Sequence, residues 1–152
     1  MVELTFDKEK FDAVWSRVTG ETPAAASEKP AQEDGSEELC RLMDAVAEHL
    51  GRCRALASST CGRARDTLRR MADDDRRILK KLRVEHFVLT GGAYNPESVC
   101  GEPFLTVSEG LRALYSSSQN LEKRFGDTYV KFAQTKRRHI ECTARLIEDM
   151  MR

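Results

Sequence analysis

The sequence LRRMADDDRRILKKLRVEHFVLTG, residues 68–91, indicates the fold class most clearly, because its apolar residues recur at the spacing of one helix face. Those apolar positions are Leu68, Met71, Ala72, Ile78, Leu79, Leu82 and Leu89. Asp75 lies on the same face, which places a carboxylate among apolar side chains. The other face is strongly basic and carries Arg69, Arg70, Arg76, Arg77, Lys80 and Lys81. The pair Gly91-Gly92 is a helix-ending signal, so the stretch predicts a long amphipathic helix over residues 62–89.

A similar helical pattern precedes this stretch. It begins after Ser36, a favourable N-cap residue, and continues for about five turns until the sequence SSTCG near residue 60 interrupts it. Its apolar stripe includes Leu39, Leu42, Met43, Val46, Leu50 and Cys53. The two helices are close in sequence, so they are expected to form a helical hairpin.

The second half of the chain contains a long connector and then a long helical pattern. Residues 91–106 contain two prolines and three glycines and show no period, so they could cross the length of a bundle. A helical pattern then begins at a cap, Thr106 or Ser108, and its apolar phase continues to residue 151. One helix of that length would measure roughly 65 Å. Gly126-Asp127 predicts a turn within it, but the periodicity leaves a single long helix open.

The first 36 residues read as a separate segment. Phe11, Val14 and Trp15 share one helix face, which predicts a short amphipathic N-terminal helix within residues 1–19. Residues 20–36 contain two prolines and two glycines and are expected to be a flexible linker, leaving residues 37–152 as the helical bundle. The N-terminal helix could cover apolar side chains of its own bundle or of a second copy. A homodimer through this helix or through a bundle face is therefore one expectation.

Composition excludes several classes of function. The chain has 152 residues, with 25 basic and 25 acidic residues, so the formal net charge of zero argues against general nucleic-acid binding. No apolar run approaches the roughly 18 residues of a membrane span, and no secretory signal is visible, so a cytoplasmic location is expected. The charge is unevenly placed, because residues 1–37 hold 4 basic and 9 acidic residues. The five cysteines are odd in number and lack a CxxC pair, which favours reduced thiols.

The stretch at residues 68–91, together with its final HFVLTG and the LRALY at residues 111–115, resembles rubrerythrin-like bacterial proteins of the ferritin-like superfamily. The likeness covers roughly residues 39–152. It implies an all-α, ferritin-like four-helix bundle made of two helical hairpins joined by a long crossover. A weak internal echo agrees with two such hairpins, since LRRMADDDRRI at 68–78 matches YVKFAQTKRRH at 129–139 in pattern. That echo makes Asp75 equivalent to Lys136 and Ile78 equivalent to His139.

The resemblance also implies a dimetal centre, for which one helix of each hairpin supplies a Glu and the other a Glu-x-x-His. Carried onto this sequence, those six positions hold Val46, Asp75, Ile78, Ser118, Lys136 and His139. Of these, Asp75 and His139 can still bind a metal. Lys136 brings a cation where a carboxylate is expected, so we expect a buried salt bridge between Asp75 and Lys136 in place of the metal. The resulting hypothesis is a bundle that has lost its di-iron centre, binds no cofactor and has a structural or interaction role.

An alternative keeps a metal. Val46 and Asp75 are 29 positions apart but Ser118 and Lys136 only 18, so the second hairpin is shorter and its register is open. A shift of one turn would bring Glu122 inward, and Asp75, Glu122 and His139 would then form a mononuclear site for a single Zn, Mn or Fe ion. The function would be that of a metal-binding oxidoreductase with an altered site. Of the other histidines, His49 is interpreted as a structural residue near the inner face, and His86 as a helix-end residue near the exposed face.

Overall fold

The computed structural model describes residues 13–14, 31–96 and 104–152. Within these ranges the chain contains four long α helices and no strand, which confirms the all-α prediction. The helices are α1 (Ala31–Ser59), α2 (Gly62–Thr90), α3 (Val107–Phe125) and α4 (Val130–Met151). None of the described helices combines the length and the apolar character needed to span a membrane.

Most helix ends follow from local chemistry. At the end of α2, Gly91 adopts a φ of 72°, and its N–H donates to the carbonyl of Phe87. At the start of α3, the Thr106 side chain accepts a hydrogen bond from the Glu109 backbone N–H. Gly126 ends α3 with a φ of 46°, a conformation that side chains disfavour. The predicted turn at Gly126-Asp127 is therefore confirmed, and residues 107–151 form two helices.

The start of α1 differs from the prediction. The helix begins at Ala31, before the predicted cap at Ser36. The residues from 31 to 35 read AQEDG. Alanine, glutamine and glutamate are good helix formers, and the two acids suit the positive end of the helix dipole, which outweighs the poor helix propensity of Gly35. Ala13 and Val14 are helical, and the rest of the predicted N-terminal helix lies outside the described residues. The division at residues 19 and 36 stays a prediction.

Two apolar clusters, one at each end of the bundle, show how the helices run. The Phe125 cluster joins the first half of α1 to the second half of α2 and the end of α3; it contains Leu39, Leu42, Met43, Val46, Ile78, Leu82, Leu121 and Phe125. The Leu56 cluster joins the second half of α1 to the starts of α2 and α3 and the end of α4; it contains Leu50, Cys53, Leu56, Ala57, Leu68, Met71, Ala72, Leu111, Leu114 and Leu146. Hence α1 is antiparallel to α2, and α3 is antiparallel to α4.

This arrangement fixes the topology of the connections. The hairpins α1–α2 and α3–α4 have extensive contacts, and α1 also packs against α3, while α2 packs more lightly against α4. Because α2 ends in the Phe125 cluster and α3 begins in the Leu56 cluster, the connection between them starts at one end of the bundle and finishes at the other. A four-helix bundle with one long connection of this kind agrees with the expected pair of hairpins. The layer between the two clusters is polar.

Candidate functional site

A layer of buried polar side chains separates the two apolar clusters, and each of the four helices contributes to it. Its members are at most 2% exposed: His49 from α1, Asp75 from α2, Ser118 from α3, and Lys136 and His139 from α4. Each lies on the inner stripe of its helix, in register with apolar neighbours such as Val46 and Leu121. Helical periodicity therefore brings all five to the middle of the bundle. We call these five residues the polar layer.

Asp75 is the centre of the polar layer. Its Oδ1 accepts a hydrogen bond from the Lys136 ammonium, and the two groups form a fully buried ion pair. Its Oδ2 lies 2.5 Å from Nδ1 of His49. The other ring nitrogen of His49, Nε2, lies 2.8 Å from the hydroxyl of Ser118. A continuous chain of polar contacts thus links all four helices through His49 and Asp75.

These contacts determine which ring nitrogens carry protons. A separation of 2.5 Å between Nδ1 of His49 and an Asp75 oxygen requires a proton between them, so Nδ1–H donates to the carboxylate. Nε2 of His49 is then an acceptor for the Ser118 hydroxyl. In His139, Nε2 lies 3.0 Å from a carboxylate oxygen of Asp74 and donates to it, which leaves Nδ1, 3.5 Å from the Lys136 nitrogen, as an acceptor. The tautomers follow from the network.

The charge states follow from burial and from the neighbouring charges. Burial lowers the pKa of His49 from 6.5 to about 4, with Lys136 adding to this and Asp75 opposing it, so the ring is neutral at pH 7. Burial alone would raise the pKa of Asp75, but His49 and Lys136 outweigh it and hold this pKa at about 2. Since His49 is neutral at pH 7, the cation that stabilises the Asp75 carboxylate there is Lys136. The pair is thus one anion facing one cation.

The residues of the polar layer do not fit a di-iron centre. Of the six positions implied by the resemblance, Val46 and Ile78 lie in the Phe125 cluster and offer no donor atom. Among the other four, Asp75 supplies the single carboxylate, and that carboxylate contacts the Lys136 ammonium. Two divalent ions need several carboxylates to balance their charge, and this set brings one carboxylate with a cation beside it.

The structure does not bring Glu122 together with Asp75 and His139. Glu122 is partly exposed, and its carboxylate accepts a hydrogen bond at 3.0 Å from Nε of Arg137 on the bundle surface. The reason is the register of α3, in which Leu114, Ser118, Leu121 and Phe125 form the buried stripe. Glu122 follows Leu121 by one residue and therefore points away by about 100°. The metal site of Asp75, Glu122 and His139 that a one-turn shift would form is therefore absent from this arrangement of the described residues.

Sequence reasoning missed a different group of donors. His49, Cys53 and Asp75 are all buried, and one potential ligand atom from each lies within 4.8 Å of the others. Burial, and then the charge of Asp75, raises the pKa of the Cys53 thiol well above 9, so the sulfur is protonated at pH 7. The signal in the sequence was the spacing of Val46, His49 and Cys53, which places all three on one face of α1.

His86 is buried near the end of α2, and the described cysteines are free thiols. The prediction that His86 lies near the exposed face is wrong: the side chain is 7% exposed, because Gly92 and Tyr94, which follow α2, pack against it. Its Nδ1 lies 3.2 Å from the carbonyl of Gly92, and its Nε2 lies 3.4 Å from the sulfur of Cys40. The four cysteines among the described residues are free thiols, and the fifth, Cys100, lies outside them.

Comparisons with family models, with curated proteins and with solved structures gave no match to this chain.

Proposed function

We propose that this chain is a ferritin-like helical bundle that has lost the di-iron centre and has a structural or interaction role. The observation that carries the proposal is the buried contact between the ammonium of Lys136 and the carboxylate of Asp75. These two residues are equivalent in the internal sequence echo, at positions where the resemblance implies one metal-binding carboxylate from each hairpin. A lysine at one of the two positions supplies, within the chain, a positive charge that a metal would otherwise supply.

The completeness of the network supports a structural role. Among the described residues, every buried side-chain nitrogen or oxygen has a hydrogen-bond partner. Buried polar groups that are fully paired rigidify a core and favour one arrangement of its helices. His49, Asp75, Ser118 and Lys136 are 0% exposed, so a substrate could reach them only if the bundle opened. The polar layer is therefore suited to fixing the register of four helices.

Metal analysis of protein purified without chelators tests the loss of the centre. Cells are grown with added iron, manganese and zinc, and the metal content of the purified chain is measured by mass spectrometry. We expect less than about 0.1 metal ion per chain. Two ions per chain, bound at stoichiometry, would contradict the proposal.

A reverse substitution tests the equivalence with the ferritin-like ligand positions. Asp75 and His139 are kept, and four residues are replaced together: Val46→Glu, Ile78→His, Ser118→Glu and Lys136→Glu. If the positions are equivalent, this variant should bind two metal ions per chain and require them for full helicity. A variant that folds without metal and binds none would contradict the ferritin-like assignment.

A second candidate rests on the His49–Cys53–Asp75 group. One nitrogen, one sulfur and one oxygen within 4.8 Å of one another could hold a single Zn, Mn or Fe ion, as in an altered mononuclear site. Binding would require the Cys53 thiol to lose its proton and Lys136 to release Asp75, so its affinity should rise steeply with pH. Cobalt(II) at pH 8 is the probe: a thiolate-to-cobalt absorption band that disappears in Cys53→Ser would favour this candidate over the first.

A further inference from the structure

A basic groove lies along the first hairpin, and its described lining includes no residue of the polar layer. It has a volume of about 600 Å³ and is formed by the second half of α1 and the first half of α2. Four arginines surround it: Arg54, Arg65, Arg69 and Arg76. Asp73 is the one acidic residue among the described residues of its lining. We call this feature the arginine groove.

The spacing of residues on the two helices creates the groove. Arg65, Arg69 and Arg76 recur at intervals of four and seven residues, so their side chains leave α2 on one face. Ala72 lies between them on the same face, and Ala57 lies opposite on α1. Both alanines are buried, and their short side chains leave space between the longer arginines. The arginines form the walls of a cleft whose floor is made of small residues.

The groove has an excess of positive charge. Arg76 contacts Asp73 at 3.3 Å, and Nε of Arg65 donates to the carbonyl of Thr60 at 2.8 Å, which leaves its terminal nitrogens available. Within the described part of the chain, neither Arg54 nor Arg69 has an acidic partner within 4.0 Å. In the part of the lining that the structure describes, four cations and one anion give a net charge of +3. The first turn of α2, which includes Arg65, also lacks an acidic residue.

We propose that the arginine groove binds an oligophosphate, a small anion with two or three linked phosphate groups. Guanidinium groups pair with phosphate oxygens through two parallel hydrogen bonds, and several such forks match the several charges of a linked phosphate chain. The volume falls in the ordinary range for small-ligand sites, about 300–1,000 Å³. Among the described residues of the lining there is no aromatic side chain on which a base could stack, so the proposed recognition is of the phosphates and not of a nucleobase.

Calorimetric titration of the full chain with inorganic tripolyphosphate, in about 0.1 M salt, tests the proposal. The groove variant carries Arg54→Gln and Arg69→Gln. The matched control carries Arg112→Gln and Arg145→Gln, which remove two exposed arginines from α3 and α4 and change the net charge equally. We expect saturable binding by the natural chain, a loss of affinity of at least about tenfold in the groove variant and a change below about twofold in the control.

Titrations with other anions define which ligand the groove binds and which results would contradict the proposal. ATP without magnesium should bind about as tightly as tripolyphosphate if only phosphates are recognised, whereas orthophosphate should bind more weakly. No saturable binding by the natural chain would overturn the proposal. An equal loss in the control variant would also overturn it, because the effect would then be one of net charge. Tighter binding of a single-stranded oligonucleotide than of tripolyphosphate would show a nucleic-acid surface and contradict it. Circular dichroism of each variant confirms that the helices are retained.

Discussion

Replacing Lys136 with methionine should be the most destabilising single substitution in the polar layer. Methionine has a similar length and helix propensity, so the change chiefly removes a charge from a site that is 0% exposed. The Asp75 carboxylate, also 0% exposed, then lacks its cation. Breaking a buried ion pair from one side costs about 3–5 kcal/mol, a large part of the 5–15 kcal/mol that holds a typical domain together.

The structure also predicts how the remaining groups respond in Lys136→Met. Lys136 is one of the influences that lower the pKa of His49, so without it the imidazole takes up a proton more readily. An imidazolium would pair with Asp75 through the contact at 2.5 Å that already exists. The loss of stability at pH 7, about 3–5 kcal/mol, should therefore shrink to roughly half at pH 5.

Urea denaturation followed by far-ultraviolet circular dichroism, at pH 7 and at pH 5, measures these free energies. Lys131→Met on the same helix is the matched control, because Lys131 is exposed, and it should change the free energy of unfolding by less than about 0.5 kcal/mol. A double variant that adds Asp75→Asn should recover at least half of the loss, since the buried anion is gone. A loss below about 1 kcal/mol for Lys136→Met at pH 7 would refute the buried-pair reasoning.

Three further predictions concern acid, the surface and the N-terminal segment. The pKa of His49 is 6.5 in the unfolded chain and about 4 in the folded chain, so the unfolded chain binds the extra proton, and the free energy of unfolding falls by about 3 kcal/mol as the pH drops from 6.5 to 4. Urea denaturation across this pH range should show the loss. An equal loss in the variant His49→Gln would contradict the prediction. Glu122→Gln should leave the melting temperature unchanged within about 2 °C, because the Glu122 carboxylate pairs with Arg137 at the surface. A larger drop would contradict this surface position and favour a buried Glu122. Val84, Phe87 and Val88 form an exposed apolar stripe near the end of the bundle where α1 begins, and the N-terminal segment is expected to cover this stripe. Removal of residues 1–30 should therefore lower the melting temperature, by about 2–4 °C for each kcal/mol lost. An unchanged melting temperature and oligomeric state would show that the segment does not cover the stripe.

The fold was largely predictable because helical periodicity is a local signal. Leu68 to Leu82 identified α2, and the glycines at 91 and 126 identified two helix ends. The start of α1 was misplaced because Ser36 is a favourable cap by itself, whereas the residues before it also favour a helix. Caps compete with helix propensity, and a sequence gives no direct measure of which one prevails.

The polar layer was harder to predict because it depends on register between helices. Asp75 is predicted from its place on the apolar face of α2, and Lys136 and His139 from the internal sequence echo and the resemblance. The direct contact of His49 with Asp75 depends on how far α1 slides along α2, which periodicity does not report. The prediction that Glu122 could point inward depends on the same register. Glu122 follows the buried Leu121 directly, so it is rotated by about 100° around the helix axis from the inner face. Local patterns thus fix the face of a residue, while packing of both clusters fixes its partner.

Charge is the property that connects these features. The chain is neutral in total, but residues 1–37 hold 9 acidic and 4 basic residues, and the arginine groove has a lining charge of +3. Inside the bundle, by contrast, charges are balanced at the scale of single atoms: Lys136 faces Asp75, and the neutral ring of His49 donates its one proton to the same carboxylate. A dimetal core of several carboxylates would repel itself without its ions, whereas a core with one anion and one cation is neutral as it stands. A neutral pair of this kind needs no metal for its own charge balance. Folding that is independent of chelators is therefore what the proposed structural role predicts.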